Sequence, residues 1–177
     1  PAPGSVVTLR IGAAADGTLV GAEVDFLFNA GAFPGLPAHS GMVCALGHYN
    51  VANARIAGYE VLTNRPASKA YRAPGSPQVA FAVESALDEL AQKLGMDPIE
   101  LRLKNCVRPG DAQPSGIPFG EIGYAECLEA AKAHPHWSAP LGQGQGRGVA
   151  GGYWGNYGGP STASVSLGED GSVAQHK

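Results

Sequence analysis

The sequence predicts a mixed α+β fold, and three observations support this class. The 177 residues include 26 glycines and 14 prolines, which favours turns and irregular segments over a helical bundle. Before residue 64, β-branched residues alternate with polar ones, as in strands. Between residues 76 and 104, two helices have complete start and stop signals. A chain of this length forms one domain with a sizeable core, or parts of two.

Strand patterns dominate the first part of the chain. Residues 6–11 and 18–29 flank Asp16-Gly17, which predicts a β-hairpin with a tight turn. Residues 29–48 are rich in Gly and Pro and are expected to form a long irregular excursion, of the kind that binds partners or carries function. A further strand is predicted over residues 52–63.

The first helix is predicted to start with Ser76 as its N-cap and Pro77 at its first helical position. Gly95 is expected to end it. One apolar stripe at helical spacing consists of Ala80, Val83, Leu87, Leu90, Ala91 and Leu94. The polar residues Glu84, Asp88 and Glu89 are interpreted as a solvated or salt-bridged face, not as an acid–base cluster.

Asp97, Pro98 and Glu100 predict a second, capped helix over residues 99–104. A Pro- and Gly-rich linker over residues 109–120 then precedes a helix at Tyr124–Ala133. The glycine-rich residues 141–148 do not fit a dinucleotide-binding pattern and are interpreted as a flexible interdomain linker.

After this linker, strands are predicted over residues 149–154 and 161–167, separated by Gly158-Gly159-Pro160. Glu169-Asp170-Gly171 should form an exposed turn.

Charge and cysteine usage exclude several classes of function. The net charge is −3 with scattered Lys and Arg, so neither nucleic acid nor a membrane is an expected partner. No apolar run reaches membrane-spanning length. Cys44, Cys106 and Cys127 are widely spaced, which argues against a zinc or iron–sulfur site and favours buried free thiols in a reducing, cytoplasmic setting. His39 and His48 lack a third ligand at metal spacing.

Residues 71–78 form a loop more constrained than a linker requires. Arg72 is a fixed cation, Pro74 and Pro77 are rigid, and Gly75 is permissive, just before a helix N-terminus that can receive an anion. An isolated arginine in such a place is usually a surface or packing cation. Gln78 could donate and accept hydrogen bonds to a ligand, or only face solvent in the first helical turn.

The stretch 70–105 resembles the signature of the molybdenum hydroxylases, the xanthine dehydrogenase and aldehyde oxidase family. The matching positions are Arg72, Gly75, Pro77, Gln78, Phe81, Glu84, Asp88, Leu90, Ala91, Leu94, Gly95, Pro98, Leu101, Arg102 and Asn105. Large subunits of that family are several times longer, so the chain resembles an internal piece. Residues 1–140 would be the later part of the first molybdenum-cofactor-binding domain, 141–148 the linker, and 149–177 the opening strands of the second.

The resemblance implies a molybdenum–pterin cofactor, either molybdopterin or its cytosine dinucleotide form. In the family the loop binds this cofactor largely through backbone N–H groups, which makes Tyr71, Arg72, Ala73, Gly75 and Gln78 the expected cofactor-binding residues. The family holds molybdenum through the pterin dithiolene, so no protein metal ligand is expected.

Two positions bear on the substrate. Pro74 stands where purine-hydroxylating relatives carry a stacking aromatic residue, and Ser40 falls where they place a substrate-binding arginine. Ser40 is otherwise an ordinary loop serine. Both departures argue against xanthine.

The implied activity is oxidation of an aldehyde or aromatic heterocycle with water as the oxygen source. Electrons would leave through iron–sulfur clusters, and FAD where present, in partner domains or subunits together with the remainder of the large subunit. The family's catalytic glutamate has no counterpart here, so no catalytic residue is predicted and the chain alone should be inactive. The alternatives are a non-catalytic assembly chain of a split enzyme and, more remotely, an unrelated α+β binding domain.

Overall fold

The computed structural model describes residues 2–35, 37–113, 115–155 and 159–175. Its elements confirm the mixed α and β composition. In chain order they are β1 (Ser5–Ala13), β2 (Leu19–Gly31), α1 (Pro37–Ala45), β3 (Ala54–Leu62), α2 (Ser76–Leu94), α3 (Pro98–Asn105), α4 (Tyr124–Ala133), α5 (Pro135–Ser138), β4 (Val165–Leu167) and β5 (Val173–Gln175).

The predicted hairpin is confirmed, with β1 antiparallel to β2. Its turn is held by Asp16, whose carboxylate accepts the backbone N–H and the hydroxyl of Thr18, each at 3.0 Å. Gly17 has φ 86°, a left-handed conformation that a glycine adopts without steric cost.

β3 adds to the other side of β2 in parallel, giving the sheet order β1-β2-β3. The parallel connection contains α1, so the prediction of a wholly irregular excursion over residues 29–48 is wrong. Its nine residues carry no charged residue in the first or last turn and include Gly41, so local signals are weak. Packing decides the outcome: a Cβ on Gly41 would lie 3.0 Å from the Phe26 ring of β2.

The main core lies between the sheet and the helices α1 and α2. Val24, Phe26 and Phe28 point from β2 into it and are at most 1% exposed. From α2, Val79, Val83, Leu87 and Ala91 meet them, whereas Leu90 and Leu94 are only partly buried. At about 25 cal/mol per Å² of apolar area, this burial is the main force that fixes the helix on the sheet.

Helix α2 starts one residue earlier than predicted. Gly75, not Ser76, occupies the N-cap position, and no side chain caps the helix. The Ser76 hydroxyl instead donates to the carbonyl of Tyr153, a contact far away in sequence. Gly95 ends the helix in the left-handed conformation, as predicted.

The two following helices confirm their predictions. Asp97 caps α3 by accepting the N–H groups of Ile99 and Glu100 at 2.8 and 3.1 Å. Glu100 itself pairs with Lys132 of α4. Helix α4 has the predicted bounds, Tyr124–Ala133.

The strand predicted over residues 149–154 is wrong, since no strand is present there. Two backbone groups of this segment bond to side chains of α2 instead of to a neighbouring strand: the Gly151 N–H donates to Glu84, and the Tyr153 carbonyl accepts from Ser76. Of residues 161–167, only Val165–Leu167 form a strand, which pairs with β5 around the predicted turn. Gly158 lies outside the described residues, and the division into two domains stays a prediction.

Candidate functional site

The backbone of the loop at residues 71–78 is strained. Arg72 has φ 38° and Ala73 has φ 55°, and the described residues contain no other non-glycine residue with positive φ. Each such conformation costs on the order of 1–3 kcal/mol and persists only where the surroundings impose it. Strain of this kind concentrates at binding and catalytic sites, so the loop is the first place to look for a ligand.

The loop presents large side chains to the outside. Tyr71 is 77% exposed, and Phe81, on the first turns of α2, is 78% exposed. Arg72 is exposed and has no hydrogen-bond or ion-pair partner among residues 2–35, 37–113, 115–155 and 159–175. A cation and two aromatic rings are therefore available beside the same helix start.

Gly75 has a structural reason for being glycine. Its φ is 84°, and a Cβ there would lie 2.1 Å from the carbonyl oxygen of Pro37 and 3.0 Å from the backbone nitrogen of Gly41. The loop backbone thus packs directly on α1. This contact explains the glycine whether or not a ligand approaches it.

Gln78 is half-buried in the first turn of α2, and its side-chain oxygen is shielded from solvent without a hydrogen-bond partner in the described chain. Such an atom costs about 1–3 kcal/mol unless a ligand or water satisfies it. The helix start nearby lacks a side-chain cap. A polar ligand that both donates and accepts hydrogen bonds fits this end of the loop.

The structure brings the two predicted substrate positions into neighbouring elements. Ser40 is half-buried in α1, one residue before Gly41, and Pro74 is half-buried one residue before Gly75. Because Gly75 contacts α1 at Pro37 and Gly41, the two positions flank one junction between helix and loop.

Beside this junction, residues of α1 and β3 and of the segments 112–113 and 115–122 line an open cleft of about 1110 Å³. Its lining includes His39, Met42, Phe119, Tyr153 and Trp154.

Glu84 lies in the core, although the sequence predicts it on a solvated or salt-bridged face of α2. It is 4% exposed, not on a solvated face. Its carboxylate accepts Tyr49 Oη at 2.7 Å, Arg102 Nε at 2.8 Å and Gly151 N at 2.7 Å, and lies 3.3 Å from His48 Nε2. The helical spacing contained the signal, since Glu84 stands four residues after Ala80 and three before Leu87, within the apolar stripe.

Electrostatics around Glu84 follow from this arrangement. Burial alone raises the pKa of Glu84, but hydrogen bonds from His48, Gly151 and Tyr49 and the charge of Arg102 outweigh it and lower the pKa to about 2. Burial, with the nearby Glu84 charge, raises the pKa of Tyr49. Burial is also the main reason why the pKa of Tyr124 rises to about 12. At neutral pH, Glu84 is therefore an anion, and the two tyrosines are neutral hydrogen-bond donors.

Metal binding by protein side chains finds no support in the described ranges. No group of three or more His, Cys, Asp or Glu residues there could hold a metal ion. All three cysteines are free: Cys44 and Cys106 are buried as expected, whereas Cys127 is exposed, contrary to expectation. Burial raises the pKa of the Cys44 and Cys106 thiols, which makes them poor ligands and nucleophiles. No helix in the described ranges is long and apolar enough to cross a membrane.

Residues 2–106 match the protein family described as the molybdopterin cofactor-binding domain. The chain belongs to this family. The match includes the strained loop, Gln78 and the Glu84–Arg102 pair, but ends before α4 and the segment that returns to α2.

Named relatives agree with this assignment. The chain is 38% identical over 135 residues to a putative xanthine dehydrogenase molybdenum-binding subunit of Escherichia coli K12, covering 72% of this chain and 18% of the relative. It is 35% identical over 185 aligned positions to an aldehyde oxidoreductase of Megalodesulfovibrio gigas, covering 96% of this chain and 20% of the relative. The chain thus spans about a fifth of the length of these relatives.

Solved structures share the fold. The aldehyde oxidoreductase from Desulfovibrio gigas superposes with a TM-score of 0.69 at 34% identity, covering 74% of this chain and 15% of that one. Quinoline 2-oxidoreductase from Pseudomonas putida 86 gives a TM-score of 0.69 at 25% identity, covering 74% and 18%. The predicted fold class and family are therefore confirmed.

Proposed function

We propose that residues 71–78 form part of the pocket that holds a molybdenum–pterin cofactor in a molybdenum hydroxylase. The strained backbone at Arg72 and Ala73 is the observation that carries this proposal, because strain of this kind concentrates at binding and catalytic sites. Tyr71, Arg72, Ala73 and Gly75 would present backbone N–H groups to the cofactor's polar and anionic atoms. Gln78 would supply its carboxamide, whose oxygen otherwise stays unsatisfied.

The residues present fit such a cofactor. A pterin offers both donors and acceptors, which Gln78 can match, and its phosphate is an anion suited to an uncapped helix start and to Arg72. The same chemistry suits molybdopterin and its cytosine dinucleotide form. When bound, the cofactor supplies the oxidation of an electron-poor carbon with oxygen from water, while these residues hold and orient it.

The partners of the proposed enzyme are the remainder of the large subunit and domains or subunits with iron–sulfur clusters and FAD. The names of relatives support this, since several are molybdenum-binding or large molybdopterin subunits. The free cysteines support a cytoplasmic location. The described residues supply no base at the loop, so the chain on its own is expected to be inactive.

The proposed substrate is an aldehyde or a heterocycle other than a purine. Pro74 cannot stack on a flat ring as an aromatic residue does, and Ser40 cannot offer the charge of an arginine. Two relatives named aldehyde oxidoreductases match 96% and 97% of the chain, against 72% for the subunit named for xanthine. Turnover of an aldehyde but not of xanthine by the assembled enzyme checks this choice.

Cofactor content of the complete molybdenum-binding subunit tests the role of the loop. Gln78→Ala is expected to bind the pterin about 10-fold more weakly, because one hydrogen bond to a buried polar atom is lost. Arg72→Ala should deplete pterin less than Gln78→Ala, because backbone N–H groups are expected to make most of the loop's contacts with the cofactor. Gln92→Ala, an exposed glutamine on the same helix, is the matched control. Full molybdenum and pterin content in both loop variants would contradict the proposal.

A further inference from the structure

Residues 149–155, here called the strap, lie along the buried face of α2. Gly151 N–H donates to Glu84 Oε2 at 2.7 Å, and the Tyr153 carbonyl accepts from Ser76 Oγ at 3.0 Å. The two anchors are eight residues apart on α2, which corresponds to about 12 Å along the helix. The strap therefore follows the first two turns of α2 and runs towards the loop.

The strap packs tightly against the residues beneath it, with no room for side chains at two glycines. A Cβ on Gly151 would lie 2.2 Å from Tyr124 Oη and 2.9 Å from His48 Nε2. The Tyr153 ring lies parallel to the His48 ring, with centroids 6.4 Å apart. A Cβ on Gly47 would lie 2.6 Å from the Tyr153 ring. The absence of side chains at Gly47 and Gly151 is thus a condition for the strap to be seated.

The anchor at Ser76 acts directly at the exit of the loop. Ser76 is the first residue of α2, is 6% exposed, and directs its hydroxyl to the strap. Gly75 is fixed from the other side by α1. The backbone that follows the strained residues Arg72 and Ala73 is therefore held by α1 on one side and by the strap on the other. Strained backbone persists only where its surroundings restrain it in this way.

We propose that the strap is a positioning element for the cofactor loop and that Ser76 is the positioning residue through which it acts. The inference rests on the proposed function of residues 71–78. Under this inference the strap contributes to cofactor binding, although none of its residues belongs to the loop or to residues 2–106, which match the family.

Hydrogen exchange in the complete molybdenum-binding subunit tests this inference. The reporters are the amides of Ser76 and Val79, which bond the carbonyls of Ala73 and Gly75. In Ser76→Ala they should exchange on the order of 2- to 10-fold faster, because the bond to the Tyr153 carbonyl is lost together with the hydroxyl's contact with the Cys44 thiol. Molybdenum and pterin content should fall with it. Ser76→Thr, which keeps the hydroxyl, should restore both.

Ser85→Ala is the matched control, because Ser85 is exposed and its Oγ bonds the Phe81 carbonyl of the same helix and no other described residue. Unchanged exchange in Ser76→Ala, an equal change in Ser85→Ala, or faster exchange with full cofactor content would each overturn the inference. If Gln78→Ala still loses pterin in those cases, the proposed function stands alone. If the loop variants keep full cofactor, the proposed function fails and the inference fails with it.

Discussion

Glu84 shows how one buried carboxylate can join four parts of the chain. It accepts from Tyr49 before β3, from Arg102 of α3 and from Gly151 of the strap, while itself belonging to α2. Arg102 is fully buried and also reaches the Asp88 carboxylate at 2.8 Å. A buried charge pair of this kind adds little net stability, but removal of one partner leaves the other uncompensated.

Replacement of Glu84 by Gln should destabilise the chain by about 3–5 kcal/mol at pH 7, because Arg102 keeps its charge in a buried place without its main partner. Urea denaturation of the two proteins measures the difference. Glu89→Ala on the exposed side of α2 is the control and should stay within about 0.5 kcal/mol.

The pH dependence of the same pair follows from the lowered pKa. The pKa of Glu84 is lowered from 4.5 to about 2 in the folded chain. The contribution of its charge to the free energy of unfolding is therefore fully present above pH 4.5 and is lost as the pH falls towards 2. The stability difference between the native chain and Glu84→Gln should therefore shrink over this range. A difference that stays constant down to pH 2 contradicts the role given to Glu84.

At the residue scale, the sequence did not predict the burial of Glu84, and the cofactor-binding residues of the loop stay a prediction. Hydrophobic spacing alone assigns every charged residue of α2 to the polar face, including Glu84, which lies within the apolar stripe. Its burial depends on Arg102, eighteen residues away, and on Gly151, sixty-seven residues away. Spacing along the helix could have placed Glu84 on the buried face, but local patterns do not reveal its distant partners.

Among the elements, those with clear start and stop residues are predicted well, apart from the N-cap of α2, which is Gly75 and not Ser76. Helices α2, α3 and α4 have Pro, Gly or Asp at their ends, and the hairpin has an Asp-Gly turn, so local chemistry fixes them. Helix α1 begins at Pro37 but has no charged residue in its first or last turn, and it forms because it fills the parallel crossover over Phe26 and Phe28. The sequence predicts a strand at the strap, but Gly151 and Tyr153 bond to side chains of α2 through their backbone groups and not to a neighbouring strand.

The junction of α1 with the loop provides a test at this scale. Gly75→Ala and Gly95→Ala both place a Cβ on a residue with positive φ, 84° and 64° respectively. Only Gly75 has a backbone oxygen 2.1 Å from that Cβ, whereas nothing lies within 4 Å at Gly95. Gly95→Ala should cost about 1–2 kcal/mol through its conformation alone. Gly75→Ala should cost clearly more, because α1 must move.

Thermal or urea unfolding of both variants measures these costs. Equal destabilisation would show that α1 does not pack on the loop as described. A larger loss in Gly75→Ala also means that cofactor depletion in any Gly75 variant reports on folding first, which is why Gln78 and Arg72 are better probes of the pocket.

On the scale of the whole molecule, a loop, a crossover helix and a returning strap meet at the start of α2. The sequence alone predicted the family, because the signature is compact and its spacings are fixed by two adjacent helices. The return of the strap could not be predicted, since Ser76 and Tyr153 are separated by seventy-seven residues. A glycine-rich linker reads the same whether the chain leaves the domain or folds back on it.

The final prediction concerns where molybdenum is held. If the cofactor is bound through the loop and not through thiolates, a complete subunit with Cys44→Ala, Cys106→Ala and Cys127→Ser should keep its molybdenum. The physical reason is that these cysteines are free, two are buried with raised pKa values, and none belongs to a possible metal-binding group in the described chain. Elemental analysis per subunit measures the metal, and a melting curve confirms that the variant is folded. Loss of molybdenum from the folded triple variant would place a thiolate at the metal and remove the basis for assigning the site to residues 71–78. Full retention of molybdenum in the triple variant, together with depletion in Gln78→Ala, would assign the site to the loop.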